Sequence, residues 1–131
     1  MKCLIVEDEE FEREMMELFL ADYAEVDTAR DGVEGVELFS RAMADGAPYR
    51  LVCLDIMMPR MDGQQALKQM RKMEKEAGII KEKAVIIMTT AMNAREDIEE
   101  ALWQGDCTDY LVKPIILADL LAVIRKYNLI D

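Results

Sequence analysis

Histidine is missing from all 131 residues. Its absence removes His-ligated metal sites, serine–histidine triads and any role as a phosphohistidine carrier. Cysteine is scarce. Cys3, Cys53 and Cys107 form no CxxC pair and are odd in number. Neither a zinc knuckle nor a disulfide framework is encoded, and reduced thiols in a cytoplasmic protein are expected. Long apolar runs are missing too. The N-terminal run Cys3-Leu4-Ile5-Val6 is cut off by Glu7-Asp8-Glu9-Glu10. That is too short for a signal peptide, and no stretch nears the roughly 20 residues that cross a bilayer. Basic residues are outnumbered 16 to 27, which leaves a net charge of −11. No basic face is available for nucleic acid, so neither nucleic acid nor membrane is expected as a partner; basic partners or cations are.

What is present reads as one folded domain over residues 1–131, with 52% apolar and 33% charged residues. Short apolar runs at Cys3–Val6, Ala24–Thr28, Leu51–Leu54, Ala84–Met88 and Tyr110–Val112 alternate with segments of helical period. The helical stripes are Phe11/Met15/Leu18/Phe19, Val33/Val36/Phe39/Met43, Leu67/Met70, Ile98/Ala101/Leu102 and Leu117/Leu120/Leu121/Ile124/Tyr127. Asp62-Gly63 suits the start of the third helix. Asn93-Ala94-Arg95-Glu96 has the form of a capping box, and Gly105 can end the fourth helix. The pattern predicts an α/β fold. It is a (βα)5 doubly wound, five-stranded parallel sheet with the flavodoxin-like strand order 2-1-3-4-5.

Open parallel sheets bind ligands at the carboxyl ends of their strands. Here those ends carry Glu7-Asp8, Asp55, Thr89-Thr90-Ala91 and Lys113-Pro114. If the first and third strands are neighbours, Glu7, Asp8 and Asp55 converge and repel one another unless a cation joins them. Oxygen ligands without His or Cys suit Mg²⁺. Thr90 offers a hydroxyl and Lys113 a fixed positive charge to a phosphoryl group. An aspartate beside Mg²⁺ can act as a nucleophile and form an acyl phosphate.

"LIVEDEE", "LVCLDIMMPRMDG", "IIMTTA" and "DYLVKP", in that order and spacing, resemble the receiver domains of two-component response regulators. The likeness runs nearly the whole chain. It implies that Asp55 is phosphorylated by a histidine kinase or a histidine phosphotransfer protein. It implies that Glu7, Asp8, Asp55 and the main-chain carbonyl of Met57 organise Mg²⁺, that Thr90 and Lys113 contact the phosphoryl group, and that Thr90 and Tyr110 form the switch. A cis peptide between Lys113 and Pro114 is implied as well. So is signalling to a downstream protein target through the fourth helix, fifth strand and fifth helix, as a monomer or a weak phosphorylation-dependent dimer. Met57 and Met92 occupy positions that in receivers flank the path of the hydrolysing water, and both are long and apolar. Two residues depart from the family's habit: Glu7 is the less usual member of the acidic pair, and Ile115 stands where an aromatic is common.

Other readings stand beside these. Glu7-Asp8-Glu9-Glu10 also suits a helix start, where acids are favoured. Tyr110 reads equally as core, and the eleven methionines mostly as core filler. Trp103 lies off the fourth stripe, as a partly covered ring or a partner contact. The chain would be a single-domain, chemotaxis-type regulator without an output domain, a binding protein and not a turnover enzyme. A phosphorelay intermediate is the alternative. An aspartate-nucleophile phosphatase of the haloacid dehalogenase type would need a second acid where Met57 stands. A receiver-fold adaptor that is never phosphorylated would not need the set Asp8, Asp55, Thr90 and Lys113.

Overall fold

The most apolar strands take the middle of the sheet and the more polar ones its edges. The computed structural model describes residues 1–91, 95–103 and 105–131, without the side chains of residues 95, 97 and 103. The elements alternate as β1 (Lys2–Val6), α1 (Glu10–Leu20), β2 (Glu25–Ala29), α2 (Gly32–Ala44), β3 (Leu51–Asp55), α3 (Gly63–Glu76), β4 (Val85–Thr90), α4 (Arg95–Trp103), β5 (Asp109–Val112) and α5 (Leu117–Lys126). All strand pairs are parallel, in the order β2-β1-β3-β4-β5. This is the predicted doubly wound sheet. Its order leaves "EVDTA" and "DYLV" at the edges, where one side of the ladder is open and polar residues are tolerated. Among the described residues no helix is long and apolar enough to cross a membrane.

Side chains alternate across a strand, so each central run feeds two cores. Leu4, Val6, Val52, Leu54, Ile86 and Met88 pack with Val36, Phe39, Leu67, Met70 and Ala101 of α2, α3 and α4. Cys3, Ile5, Leu51, Cys53 and Ile87 point the other way and pack with Met16 and Leu20 of α1 and Leu120 and Ile124 of α5. Burial on both faces explains why the central strands read as unbroken apolar runs.

The expected first stripe needs correction. Phe11 and Leu18 are 69% and 75% exposed, and Met16 and Leu20 fill the core instead. The six apolar residues of α1 spread over an arc of about 200° at 100° per residue, so the period alone does not choose the innermost row. The row that meets the sheet is Glu12, Met16 and Leu20, spaced four apart. Leu102 and Leu117 are also exposed. α4 is seated through fully buried Ala101, which turns the next residue about 100° off the sheet. Leu117 opens α5 beside the short edge strand, and the helix is seated by Leu120 and Ile124. The expected cap at Asn93 lies outside the described residues.

α3 begins as expected. The Asp62 side chain accepts the Gln65 N–H while the Gln65 side chain accepts the Asp62 N–H. Gly63 is obligatory here. A Cβ would run into the main-chain oxygen of Asp55 and lie 2.8 Å from Ile56 Cα. α3 therefore starts hard against the end of β3, and the Gly63 N–H donates to Ile56 O at 2.8 Å.

At the opposite, amino-terminal edge of the sheet lies a buried ion pair that sequence patterning does not reveal. Arg71 Nη1 meets Glu74 Oε1 at 2.7 Å, and Glu74 Oε2 accepts the Ala84 N–H at 2.7 Å. The guanidinium also reaches Ala84 O (2.9 Å), Asp106 O (2.8 Å) and Thr108 Oγ1 (3.2 Å). One side chain thus ties the end of α3 to the start of β4 and the turn before β5. Arg71→Ala would leave a buried carboxylate with little compensation, and should cost about 3–5 kcal/mol in urea unfolding. Glu74→Ala should cost less, because the guanidinium keeps three other acceptors. A larger loss in Glu74→Ala than in Arg71→Ala would contradict this account.

Candidate functional site

Strand alternation gathers the site. Glu7 continues the face of Cys3 and Ile5, Asp55 that of Leu51 and Cys53, and Lys113 that of Leu111. All three lie on the α1 side of the sheet. Glu7 and Asp55 are each only 4% exposed. With exposed Asp8 they bring carboxylate oxygens within 4.8 Å of one another. Lys113 Nζ stands 2.8 Å from Glu7 Oε1 and 3.3 Å from Asp55 Oδ2. A third acid, not expected from the sequence, completes the set: Glu12 Oε2 of α1 is also 2.8 Å from Lys113 Nζ.

The backbone fixes these groups. The Glu7 N–H extends the sheet to Ala29 O at 3.0 Å, and the Lys113 N–H donates to Thr90 O at 2.7 Å. The Glu9 N–H at the start of α1 donates to Glu7 Oε2 at 3.2 Å. Arg13 Nη1 holds the acidic turn through Glu7 O (2.9 Å). The Met57 N–H lies 3.4 Å from Asp55 Oδ1. The Lys113–Pro114 peptide bond is cis.

The loop after Asp55 is pinned from the neighbouring turn. Arg60 holds a positive φ of 65°, a conformation that costs a non-glycine residue energy. Its Nε and Nη2 both reach Asp31 Oδ2, at 2.9 and 2.6 Å. Asp31 also caps α2 by accepting the Glu34 N–H. Burial works against the Asp31 charge, but the Glu34 N–H and the Arg60 guanidinium hold its carboxyl below the usual range.

The charges are unevenly matched. Burial, with the neighbouring Asp55, pushes the Glu7 carboxyl up to about 8. Burial also raises Asp55, against the pull of Glu7 and Lys113. Both buried carboxyls are thus held above the ordinary range. Burial opposes the Lys113 charge, yet Glu12, Glu7 and Asp55 together hold its ammonium protonated well above the ordinary lysine range. Even with Glu7 protonated, one lysine does not neutralise Glu12, Asp55 and Asp8. A hard divalent cation fits this deficit, because every available donor is an oxygen and the groups already lie within one coordination sphere's reach.

The other expected residues are placed differently. Thr90 is buried, and its hydroxyl donates to Ala91 O at a long 3.4 Å. By strand alternation it shares a face with Met88, next to the register pair Asp55–Thr89. Tyr110 is 37% exposed on β5, on that same side, and is not core. The side chain of Met57 is 70% exposed. Met92 and the Trp103 side chain lie outside the described residues. Glu12 had a legible signal, namely an acid in register with Met16 and Leu20. The choice of Phe11 and Leu18 as the inner stripe hid it.

The response regulator receiver domain family matches residues 3–125. The chain is 38% identical over 116 residues to chemotaxis protein CheY of Treponema pallidum, covering 87% of this chain and 73% of that one. It is 38% identical over 126 residues to the transcriptional regulatory protein DltR of Streptococcus agalactiae, covering 95% of this chain and 50% of that one. It is 37% identical over 131 residues to hybrid signal transduction histidine kinase G of Dictyostelium discoideum, covering 98% of this chain and 4% of the kinase. The chain thus spans half or less of these last two relatives. A Saccharomyces cerevisiae co-crystal structure pairs a histidine phosphotransfer signaling protein with the receiver domain of its downstream response regulator. The likeness to it has a TM-score of 0.83 at 29% identity, over 97% of this chain and 88% of that one. The CheX–CheY complex of Borrelia burgdorferi with beryllofluoride and magnesium gives 0.79 at 27% identity, over 96% and 88%.

The raised Glu7 carboxyl has a thermodynamic consequence. Between its ordinary 4.5 and about 8 the folded chain keeps a proton that the unfolded chain releases. Stability therefore falls as pH rises through that window. In chelator-treated buffer, Glu7→Gln should flatten this fall and be more stable than the wild type at pH 8. Parallel stability–pH curves for the two proteins would contradict it.

Proposed function

We propose, on the premise that the chain belongs to the response regulator receiver domain family, that Asp55 accepts a phosphoryl group from a histidine kinase or a histidine phosphotransfer protein. The observation that carries this reading is the pairing of Asp55 Oδ2 with Lys113 Nζ at 3.3 Å in a crevice of converging acids. An Asp55 carboxylate oxygen forms a bond to phosphorus while the phosphorus–nitrogen bond of the donor's phosphohistidine breaks. The leaving imidazole nitrogen takes up a proton. Mg²⁺, held by Glu7, Asp8, Asp55 and the main-chain carbonyl of Met57, would supply positive charge against the phosphoryl oxygens as the group transfers. Lys113 supplies a second, permanent positive charge from the protein side. Asp55 is fixed by β3 and by the start of α3 against its main-chain oxygen, so attack needs little reorganisation.

This chemistry makes a modified protein, not a catalytic cycle on a separate substrate, and fits a signalling role. The signal would pass through α4, β5 and α5 to a protein target. Thr90 and Tyr110 share a face of the sheet at its β4–β5 edge, where Met88 pairs with Tyr110 and Thr90 with Val112. The long bond from Thr90 to Ala91 O is weak, so a phosphoryl oxygen can redirect the hydroxyl. Tyr110, partly exposed beside it, would move inward. The switch is a shift between two populations, of which the phosphoryl group favours one.

Incubation with Mg²⁺ and acetyl phosphate should add one phosphoryl group by intact-mass measurement. Asp55→Asn should remove it. Phosphorylation of the Asp55→Asn protein on another acid would sink the assignment. Beryllofluoride with Mg²⁺ should shift amide resonances of α4, β5 and α5 as well as those of the crevice. Shifts confined to residues bordering Asp55 would reject the signalling face.

A further inference from the structure

We infer that Glu12 is a positioning residue for Lys113, a tether on α1 that divides the lysine between the helix and the phosphoacceptor. The inference rests on the reading of Asp55 as phosphoacceptor and adds a residue to it. Lys113 Nζ is 2.8 Å from Glu12 Oε2 but 3.3 Å from Asp55 Oδ2. The lysine therefore leans toward α1 and Glu7, and away from the group it is to assist.

The fold enforces the contact. Glu12 shares its helical row with Met16 and Leu20, which are 5% and 0% exposed, so it is aimed at the sheet as they are. Its carboxylate reaches the mouth of the crevice where Lys113 ends. A cavity of about 170 Å³ adjoins them, lined in part by Glu7, Glu12, Cys53, Thr89, Lys113 and Pro114. Its room lets a long, flexible ammonium side chain move between partners without repacking the core. Glu12 is more exposed than Glu7 or Asp55 and lies outside the metal-forming trio. It holds the lysine without competing for the cation.

Two opposite effects follow. Without the tether, Lys113 keeps Glu7, closes on Asp55 and competes with Mg²⁺ more strongly for both. With Mg²⁺ in place, the same freed lysine turns fully to the phosphoryl oxygens. Glu12 thereby favours the metal-loaded, unphosphorylated protein and weakens the hold on a phosphoryl group. Glu12→Gln should bind Mg²⁺ about threefold more weakly, and beryllofluoride at saturating Mg²⁺ about threefold more tightly.

A general loss of negative charge near the site would move both affinities in the same directions, so the test must isolate Lys113. Calorimetric or NMR titrations of Mg²⁺ and of beryllofluoride are made on the wild type, Glu12→Gln, Glu12→Asp, Lys113→Met and the double variant Glu12→Gln/Lys113→Met. Glu10→Gln serves as an exposed-charge control, and circular dichroism confirms that each variant is folded. If Glu12 acts through the lysine, its effect vanishes in the Lys113→Met background. Glu12→Asp, charged but too short to reach, then behaves like Glu12→Gln. If Glu12→Gln shifts both affinities equally with and without Lys113, or Glu12→Asp and Glu10→Gln match the wild type and Glu12→Gln respectively, the tether is overturned. Should Lys113→Met fail to fold, the Glu12→Asp comparison alone decides. A wild type that binds no beryllofluoride with Mg²⁺ would overturn the phosphoacceptor reading itself, and the tether with it. Binding without coupling overturns the tether alone.

Discussion

The rest of the structure depends on a concentration of like charge at one edge of a parallel sheet. Glu7 and Asp55 are nearly sealed from water, Asp8 stands beside them, and Lys113 is the ammonium that holds them together. Taking carboxylates out of water is costly, and their mutual repulsion adds to the cost. The fold tolerates this because strand alternation puts Glu7, Asp55 and Lys113 on one face whatever their mutual energy. Three apolar strands in the middle of the sheet hold them there. The result is a site that is poorer in positive charge than its acids require, which is the condition for taking up a cation.

The remainder of the molecule is arranged so that this edge can be strained without the sheet coming apart. At the amino-terminal edge, Arg71 and Glu74 make a buried and well-satisfied network that ties α3, β4 and the turn before β5. Buried ion pairs of this kind seldom add much net stability, but breaking one is expensive. They fix register and position. Around the site, positions are set mainly by backbone. The start of α3 abuts the main-chain oxygen of Asp55 through Gly63, and the Lys113 N–H is held by Thr90 O. The loop between Asp55 and α3 keeps one strained residue, Arg60, anchored on the cap of α2. A helix cap and a loop anchor thus share one carboxylate, so the turn before α2 and the loop after β3 are placed together.

On the proposed reading, movement falls to two side chains at the β4–β5 edge. Thr90 makes a long hydrogen bond to Ala91 O, and Tyr110 is partly exposed. Rigid backbone with mobile side chains is what a population switch needs, since the energy of a few contacts is enough to bias it.

The sequence by itself determined the order of elements, the parallel doubly wound sheet and the four strand ends that carry polar chemistry. Unbroken apolar runs require burial on both faces, and periods of two and near four leave few other folds. The gathering of Glu7, Asp8, Asp55 and Lys113 was legible because polar residues close the apolar runs of the first, third and fifth strands. Only the tertiary structure decided which row of α1 turns innermost, since its apolar residues spread over more than half of its circumference. With that face came Glu12, whose role depends on a lysine 101 positions away. The Arg71–Glu74 network and the Arg60–Asp31 anchor were equally invisible. Charged residues on a helix or in a loop look solvated in sequence, and their burial and partners exist only after distant segments have been brought together. Tyr110 shows the same limit: alternation placed it on a face, and the open edge of β5 decided that the face was partly exposed.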